Sequence, residues 1–145
     1  MKAIVYTKHG PPEVLRLIEV EKPTPNDGEV LVEIHAASVN IADYYTMRGG
    51  PARLVGRLLR IPENPRLGID VAGRVEAVGN NVTQFRPGDD VFGACAGSFA
   101  EYALPREDRL ALKPARSSFE EAATVPVAAI TALQGLRDKG KIQSG

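Results

Sequence analysis

Residues 66–93 read RLGIDVAGRVEAVGNNVTQFRPGDDVFG, and this stretch decides the fold of the chain. Apolar side chains at Val71, Val75 and Val78 predict a strand over residues 70–78. Gly79-Asn80-Asn81 then predicts a reversal, since glycine and asparagine tolerate positive φ. Arg86-Pro87-Gly88-Asp89 predicts a second turn before a short strand at residues 90–92. Short strands separated by tight turns predict a small β-barrel.

The composition predicts a single globular domain. The chain has 145 residues, of which 43% are hydrophobic and 25% charged, enough for one sizeable core and too few residues for two ordinary domains. Its 18 basic residues equal its 18 acidic residues, so charge indicates neither nucleic acid nor an anionic membrane as a partner. A single cysteine, Cys95, excludes an internal disulfide framework and a multi-cysteine zinc site.

No apolar run approaches the ~20 residues that a membrane span needs. The chain also enters a predicted strand at residue 2, without the pattern of a signal peptide. We therefore expect a cytoplasmic protein with no membrane partner.

Alternating apolar residues predict further strands on both sides of the opening segment. Residues 2–6 and 14–20 predict a hairpin with a wide loop, because Gly10-Pro11-Pro12 separates them. Residues 29–39, EVLVEIHAASV, have the clearest strand pattern in the chain. Residues 98–104 and 109–112 predict two shorter strands.

Helices are predicted at three places. Asn40 is placed to cap a short helix that Gly49-Gly50 ends, and Ser117 or Ser118 is placed to cap a second helix. Pro126 suits the first turn of a third helix that runs to about residue 138. In this third helix we expect the apolar Leu133 and Leu136 to lie in the core. Residues 51–65 fit both an amphipathic helix and a mobile lid.

The order of these motifs, G-x-D-x-A-G-x-V from Gly68 and then PGDDVFG to Gly93, resembles the catalytic domain of the medium-chain dehydrogenase/reductase superfamily. The zinc-independent quinone oxidoreductase branch is the most similar, and the resemblance covers nearly the whole chain. It implies a mainly β fold with short helices: a GroES-like, partly open barrel over residues 1–125. Residues 126–145 would then lead toward a Rossmann nucleotide-binding domain.

The resemblance implies hydride transfer from NADPH or NADH to a small-molecule electron acceptor, a quinone or an α,β-unsaturated carbonyl. The 145 residues contain no G-x-G-x-x-G motif for the cofactor phosphates. We therefore expect this chain to be the N-terminal domain of a longer enzyme and to be inactive alone. The missing Rossmann domain would bind most of the cofactor and form most of a homodimer contact.

Residues 38–45, SVNIADYY, resemble the S-V-N-P-x-D-x-Y segment of quinone oxidoreductases. The resemblance implies that Asn40 lies near the nicotinamide, that Tyr45 lines the pocket and that Asp43 supports the turn. Thr131, in VPVAAITAL, matches a threonine that contacts the cofactor. We therefore predict Tyr45, Asn40 and Asp43 as catalytic residues, and Asn40 and Thr131 as cofactor contacts.

Each of these residues also has a structural explanation. Asn40 suits a helix cap, and Asp43 suits the positive end of a helix dipole. Tyr45 could serve packing alone, and Thr131 could hydrogen-bond its own helix backbone.

Zinc-binding members of the superfamily hold the metal through Cys, His and Cys, with an acid beside the His. By motif matching those three ligand positions hold Asn40, Ile69 and Val127, and only the acid is retained, as Asp70. Zinc sites in proteins use thiolate, imidazole or carboxylate ligands, so we predict no metal. A zinc-dependent alcohol dehydrogenase is accordingly a less favoured alternative.

His9 and His35 are expected to have structural or solvent roles, and Cys95 is expected to be an inert thiol. Two further alternatives stay open at this point. The same barrel occurs in co-chaperonins, so the chain could be a stand-alone binding or co-chaperonin-type module. A structural protein of the lens type, built on the superfamily fold, is the other.

Overall fold

A computed structural model describes residues 1–49 and 66–143 of the chain. The described strands are β1 Lys2–Tyr6, β2 Leu15–Glu19, β3 Val30–Ala36, β4 Asp70–Val78, β5 Asp90–Ala94, β6 Tyr102–Ala103 and β7 Leu110–Leu112. The described α-helices are α1 Ile41–Arg48, α2 Phe119–Ala123 and α3 Pro126–Leu133, and a π-helical turn, Gln134–Lys139, continues α3. Two 3₁₀ turns cover Pro12–Val14 and Glu107–Arg109. The predicted helix or lid at 51–65 lies outside the described residues.

The strands form one five-stranded antiparallel sheet in the order β6-β3-β4-β5-β7 and a separate β1-β2 hairpin. Isolated bridges, Ala3 to Ala100 and Val5 to Arg66, attach the hairpin to segments that flank the sheet. This arrangement is the mainly β, partly open barrel that the sequence predicts. The predicted strands at 2–6, 70–78 and 109–112 are confirmed to within one residue.

Valines from three adjacent strands form the centre of the core. The fully buried members are Val30, Val32, Val71, Val75 and Val91, and Phe85 packs against them. Each such burial contributes roughly 1.5–3 kcal/mol relative to an exposed side chain. Four of these six residues come from the segment 66–93, so the stretch that predicts the barrel also supplies most of its interior.

Strands β3 and β4 approach each other closely at Gly73. A Cβ atom at this position would overlap the backbone oxygen of Glu33. The ladder between the two strands then shifts register between Ile34 and Ala36, so that Ala36 pairs with Ala72. Helix α2 covers this point, because Ala122 and Ala123 pack on Ala72. The end of β3 is thereby fixed beside the start of β4, where the candidate site lies.

The strand predicted at 98–104 is wrong in its first half, since only Tyr102–Ala103 is a strand. Gly97 takes a positive φ of 88°, and the following N–H groups turn toward another segment. Ser98 N donates to Gly68 O at 3.3 Å, and Phe99 N donates to Leu67 O at 3.1 Å. Alternation of side chains indicates an extended chain, but it does not specify which segment the backbone will pair with.

The predicted core positions of Leu133 and Leu136 are also wrong, because the two residues are 51% and 57% exposed. Helix α3 is anchored at its buried first residue, Pro126, and its later turns are exposed. Helical periodicity identifies an apolar face without identifying what covers it. Among the helices of residues 1–49 and 66–143, none combines the length and apolar character needed to cross a bilayer.

Candidate functional site

The site begins where the chain leaves β3 and enters α1. Asn40 has extended backbone angles, φ −105° and ψ 156°, and is the N-cap of the helix, as the sequence predicts. Asp43 completes a capping box, because its Oδ2 accepts from Asn40 N at 2.9 Å. Its Oδ1 accepts from Gly68 N at 2.9 Å, and the residue is only 5% exposed. Asp43 therefore ties the start of α1 to the segment that leads into β4.

Asp70, the first residue of β4, is the centre of the site and is 0% exposed. Its Oδ2 accepts from Ser38 Oγ at 2.8 Å and from Asn40 Nδ2 at 3.1 Å. Its Oδ1 accepts from Val127 N, at the start of α3, at 3.1 Å. We call these four residues the Asp70 cluster. A buried carboxylate is costly unless donors satisfy its oxygens, and here both oxygens are satisfied.

The cluster joins three separate parts of the chain, and local structure explains each donor. Ser38 and Asn40 are two residues apart, and their side chains reach the same oxygen of Asp70. The N–H of Val127 belongs to the first turn of a helix and has no partner within that helix. A carboxylate at this end also interacts favourably with the helix dipole.

Sequence reasoning identified Asp70 only as a retained acid and gave Ser38 no role. The two-residue spacing of Ser38 and Asn40 was a usable signal. Nothing local indicated that Val127 would reach the same carboxylate, because it is 57 residues from Asp70 in the chain.

The residues at this position do not fit zinc. Of the three positions matched to metal ligands, Asn40 and Val127 present N–H groups, which carry hydrogen and not a lone pair. The third, Ile69, has an aliphatic side chain. Within residues 1–49 and 66–143, no three His, Cys, Asp or Glu side chains are grouped so that they could hold a metal ion.

An exposed rim borders the cluster. Val39, Ile41 and Tyr45 are 80%, 69% and 66% exposed, and the Tyr45 ring meets the edge of the Tyr44 ring at a centroid distance of 5.7 Å. Thr131 is exposed on α3, four residues and so about one turn beyond Val127. The structure thus joins Asn40 and Asp43 to the start of α3 through Asp70. It leaves Tyr45 and Thr131 at the surface.

An apolar cavity of about 600 Å³ lies against α1, β3 and residues 98–100. Asp43 and Tyr44 line it, whereas Asn40 and Tyr45 do not. Ser98 also lines the cavity, is 1% exposed, and its Oγ has no hydrogen-bond partner among the described residues. No local sequence pattern indicates this cavity, since its walls come from distant segments.

The cysteine and the two histidines make contacts that are explained by structure alone. Burial raises the pKa of the Cys95 thiol from its ordinary value of 9.0 to about 12; the nearby Asp70 charge adds to this shift and Arg66 opposes it. The thiol of this partly buried residue is therefore held in its protonated form at neutral pH, which favours the predicted inert role. His35 stacks on Phe119 at a centroid distance of 4.3 Å, and His9 Nδ1 lies 3.0 Å from Thr46 O near the end of α1.

The barrel, the capped turn and the cluster at its edge define a domain type that comparison with known proteins identifies. The sequence profile of the alcohol dehydrogenase GroES-like domain matches residues 26–131, and the chain belongs to this family. Several of its relatives are named quinone oxidoreductases, which agrees with the branch of the medium-chain dehydrogenase/reductase superfamily that the sequence motifs resemble.

Individual relatives agree with this assignment. A quinone oxidoreductase of Sus scrofa is 38% identical over 100% of this chain, which corresponds to 43% of that protein. A quinone oxidoreductase of Escherichia coli complexed with NADPH has a TM-score of 0.83 at 31% identity, over 96% of this chain and 41% of that one. The CurK enoyl reductase has a TM-score of 0.90 at 28% identity, over 99% of this chain and 44% of that one. The chain therefore spans less than half the length of these relatives.

Proposed function

We propose that this chain is the substrate-side domain of a longer, zinc-independent oxidoreductase that reduces a quinone or an α,β-unsaturated carbonyl with NADPH or NADH. The Asp70 cluster carries the proposal. Two of the positions matched to zinc ligands are held together there by hydrogen bonds to a carboxylate. The relatives support the same class, since they are named as quinone oxidoreductases and an enoyl reductase.

The nicotinamide cofactor, when bound, supplies the hydride, and this domain supplies one wall of the cleft. The exposed rim fits such a role, because the surface-facing Tyr45 and Thr131 can meet a cofactor held by a second domain. Asn40 is held by Asp70 through one of its two amide hydrogens, which leaves the other to donate. Asp43 acts on Asn40 from the other side, because it accepts the Asn40 backbone N–H.

Negative charge that develops on the acceptor oxygen must then be stabilised by hydrogen-bond donors or solvent. Tyr45 and Asn40 are the proposed donors, acting in the manner of an oxyanion hole. A conjugated acceptor spreads this charge over its own π-system and so needs less stabilisation than a saturated aldehyde. The proposed substrate class follows from this difference.

The remaining parts of the proposal concern the longer protein. We propose that a Rossmann domain of the same chain is the main partner, that the full-length enzyme is a homodimer, and that it is cytoplasmic. The reductase relatives favour an enzyme over a co-chaperonin-type module. Residues 126–145 would connect the two domains, with 1–125 forming the substrate domain.

The test is to express the reading frame that contains residues 1–145 together with whatever follows Gly145. NADPH and NADH oxidation would be measured with a quinone, an enone and a saturated aldehyde, and the zinc content of the purified protein would be determined. We expect faster turnover of the conjugated acceptors, no stoichiometric zinc, and no turnover by residues 1–145 alone. Faster reduction of the saturated aldehyde, or zinc required for activity, would overturn the proposal. A reading frame that stops at Gly145 would favour the stand-alone module.

A further inference from the structure

We propose that Asp70 is a positioning residue: its carboxylate holds the Asn40 turn and the start of α3 in a fixed relation, in the place where zinc-binding members hold a metal. The inference rests on the proposed function for its catalytic consequence, but its structural part can be tested without any substrate.

Each oxygen of the Asp70 carboxylate accepts hydrogen bonds from a different segment. We call this pair of interactions the tie, and each oxygen with its donors one arm of the tie. The Oδ2 arm reaches the turn, through Ser38 Oγ at 2.8 Å and Asn40 Nδ2 at 3.1 Å. The Oδ1 arm reaches the helix, through Val127 N at 3.1 Å. Because each oxygen accepts from a different segment, loss of one acceptor releases either the Asn40 turn or the start of α3 from the carboxylate.

The residues around Asp70 are buried and closely packed. Asp70 is fully buried, and its strand neighbours Val71 and Ala72 are also 0% exposed. Residues Ala122 and Ala123 of α2 pack on Ala72. The carboxylate therefore has a fixed location, and the turn and α3 are placed relative to it.

Such a tie determines where two proposed functional residues lie. Asn40 is bonded to the carboxylate directly, and Thr131 follows Val127 by about one helical turn. A shift of either arm would move one of these side chains relative to the other. Misplacement of about 1 Å at a reacting centre is known to lower rates on the order of 10²-fold.

Exchange of the side chains at positions 40 and 70 tests the tie. In D70N the side chain has one oxygen and one NH₂ group, so it cannot accept on both arms. In the double variant D70N/N40D, the amide at position 70 can accept from Val127 N with its oxygen and donate to the carboxylate at position 40. Both arms are then restored, with the single negative charge moved from position 70 to position 40. D90N is the matched control, because Asp90 pairs with the exposed Arg74, four residues along β4 from Asp70, and makes no bond to the Asp70 cluster.

The readouts are hydrogen exchange of the Val127 amide and the NMR signals of the Asn40 side-chain NH₂, measured in the 145-residue chain and again in the longer protein. In D70N we expect either exchange of Val127 about tenfold faster or release of the Asn40 NH₂, since a bond to a charged group is lost. We expect D70N/N40D to bring Val127 exchange back to within about threefold of the parent chain, and D90N to leave both readouts unchanged. Uniform changes across the domain in D70N, with no restoration in the double variant, would show a merely structural role and overturn the proposal.

A further test uses the unsubstituted chain and so does not require any variant to fold. Through-hydrogen-bond couplings should link the Asp70 carboxylate carbon to the Val127 amide nitrogen and to Asn40 Nδ2. Absence of both couplings would overturn the tie. In the longer enzyme, D70N should lower kcat more than it raises the KM for NADPH, and the double variant should recover part of the loss. If the couplings are present but no reductase activity is found, the tie stands and the proposed function fails.

Discussion

Asn40 Nδ2 donates to Asp70 Oδ2 at 3.1 Å, across 30 residues of sequence. This bond joins the turn after β3 to the first residue of β4, and the nearby Asp43 is also buried. Asn40 is therefore both the cap of α1 and a partner of a fully buried carboxylate. Its role as a helix cap therefore does not exclude the contact with the nicotinamide that we propose for it.

Substitution of Asn40 should be destabilising, and the size of the effect should depend on charge. N40A removes a hydrogen bond to a carboxylate and should lower the free energy of unfolding by about 2 kcal/mol. N40D places two carboxylates side by side and should be less stable than N40A at pH 7. Urea unfolding at pH 7 and at pH 4 measures both variants. The gap between them should shrink at pH 4, where protonation relieves the repulsion; a gap independent of pH would contradict direct contact.

Tyr45 should affect the reaction, whereas its neighbour Tyr44 should not. In the longer enzyme, Y45F should lower kcat/KM for a quinone by about 10²-fold, because a donor to the developing charge is lost. Y44F is the matched control, since Tyr44 lies next in α1 but lines the apolar cavity of about 600 Å³. Steady-state kinetics gives kcat/KM for the quinone in both variants. A larger loss in Y44F would place the acceptor in the cavity and not at the rim.

Gly73 should tolerate no side chain. G73A should lower the free energy of unfolding by about 3 kcal/mol. The added Cβ would overlap the Glu33 backbone and push β3 away from β4. Gly135 is the control, because a Cβ at that position would meet no atom within 4 Å. G135A should be neutral or stabilise by about 0.5–1 kcal/mol. Chemical denaturation of both variants gives the comparison, and a G73A protein as stable as G135A would refute the close approach.

Cys95 should make the chain less stable at high pH. Burial raises the pKa of its thiol from 9.0 to about 12, so between these values the unfolded chain loses a proton that the folded chain keeps. The contribution is fully present below pH 9 and is lost as pH rises, by about 1.4 kcal/mol per unit.

The measurement is the free energy of unfolding from pH 8 to pH 11 for the parent chain and for C95A. Other groups titrate in this range, so the difference between the two curves isolates the thiol. The two curves should converge as pH rises. Parallel curves would show that folding does not raise the pKa of the Cys95 thiol.

The sequence alone was sufficient for much of the fold. The glycine, proline and asparagine positions between residues 66 and 93 fixed the turns, because few residues accept the backbone angles required there. The β-branched residues Val30, Val32 and Ile34 indicated β3, because every second side chain of a strand lies on the same face. Asn40 indicated the start of α1, and Ser117 or Ser118 the start of α2, because a cap acts within one turn of its own position; the structure selects Ser118.

Only the tertiary structure decided how distant segments meet. The side-chain pattern at 98–104 did not show that Ser98 and Phe99 pair with residues 67–68, and that of α3 did not show that Leu133 would lie at the surface. The approach of Val127 to Asp70 likewise depends on the packing of α2 against β4, which no local pattern encodes. Backbone angles and periodicity act over a few residues and are written in the sequence. A buried carboxylate takes its donors from whichever segments the folded barrel brings within about 3 Å.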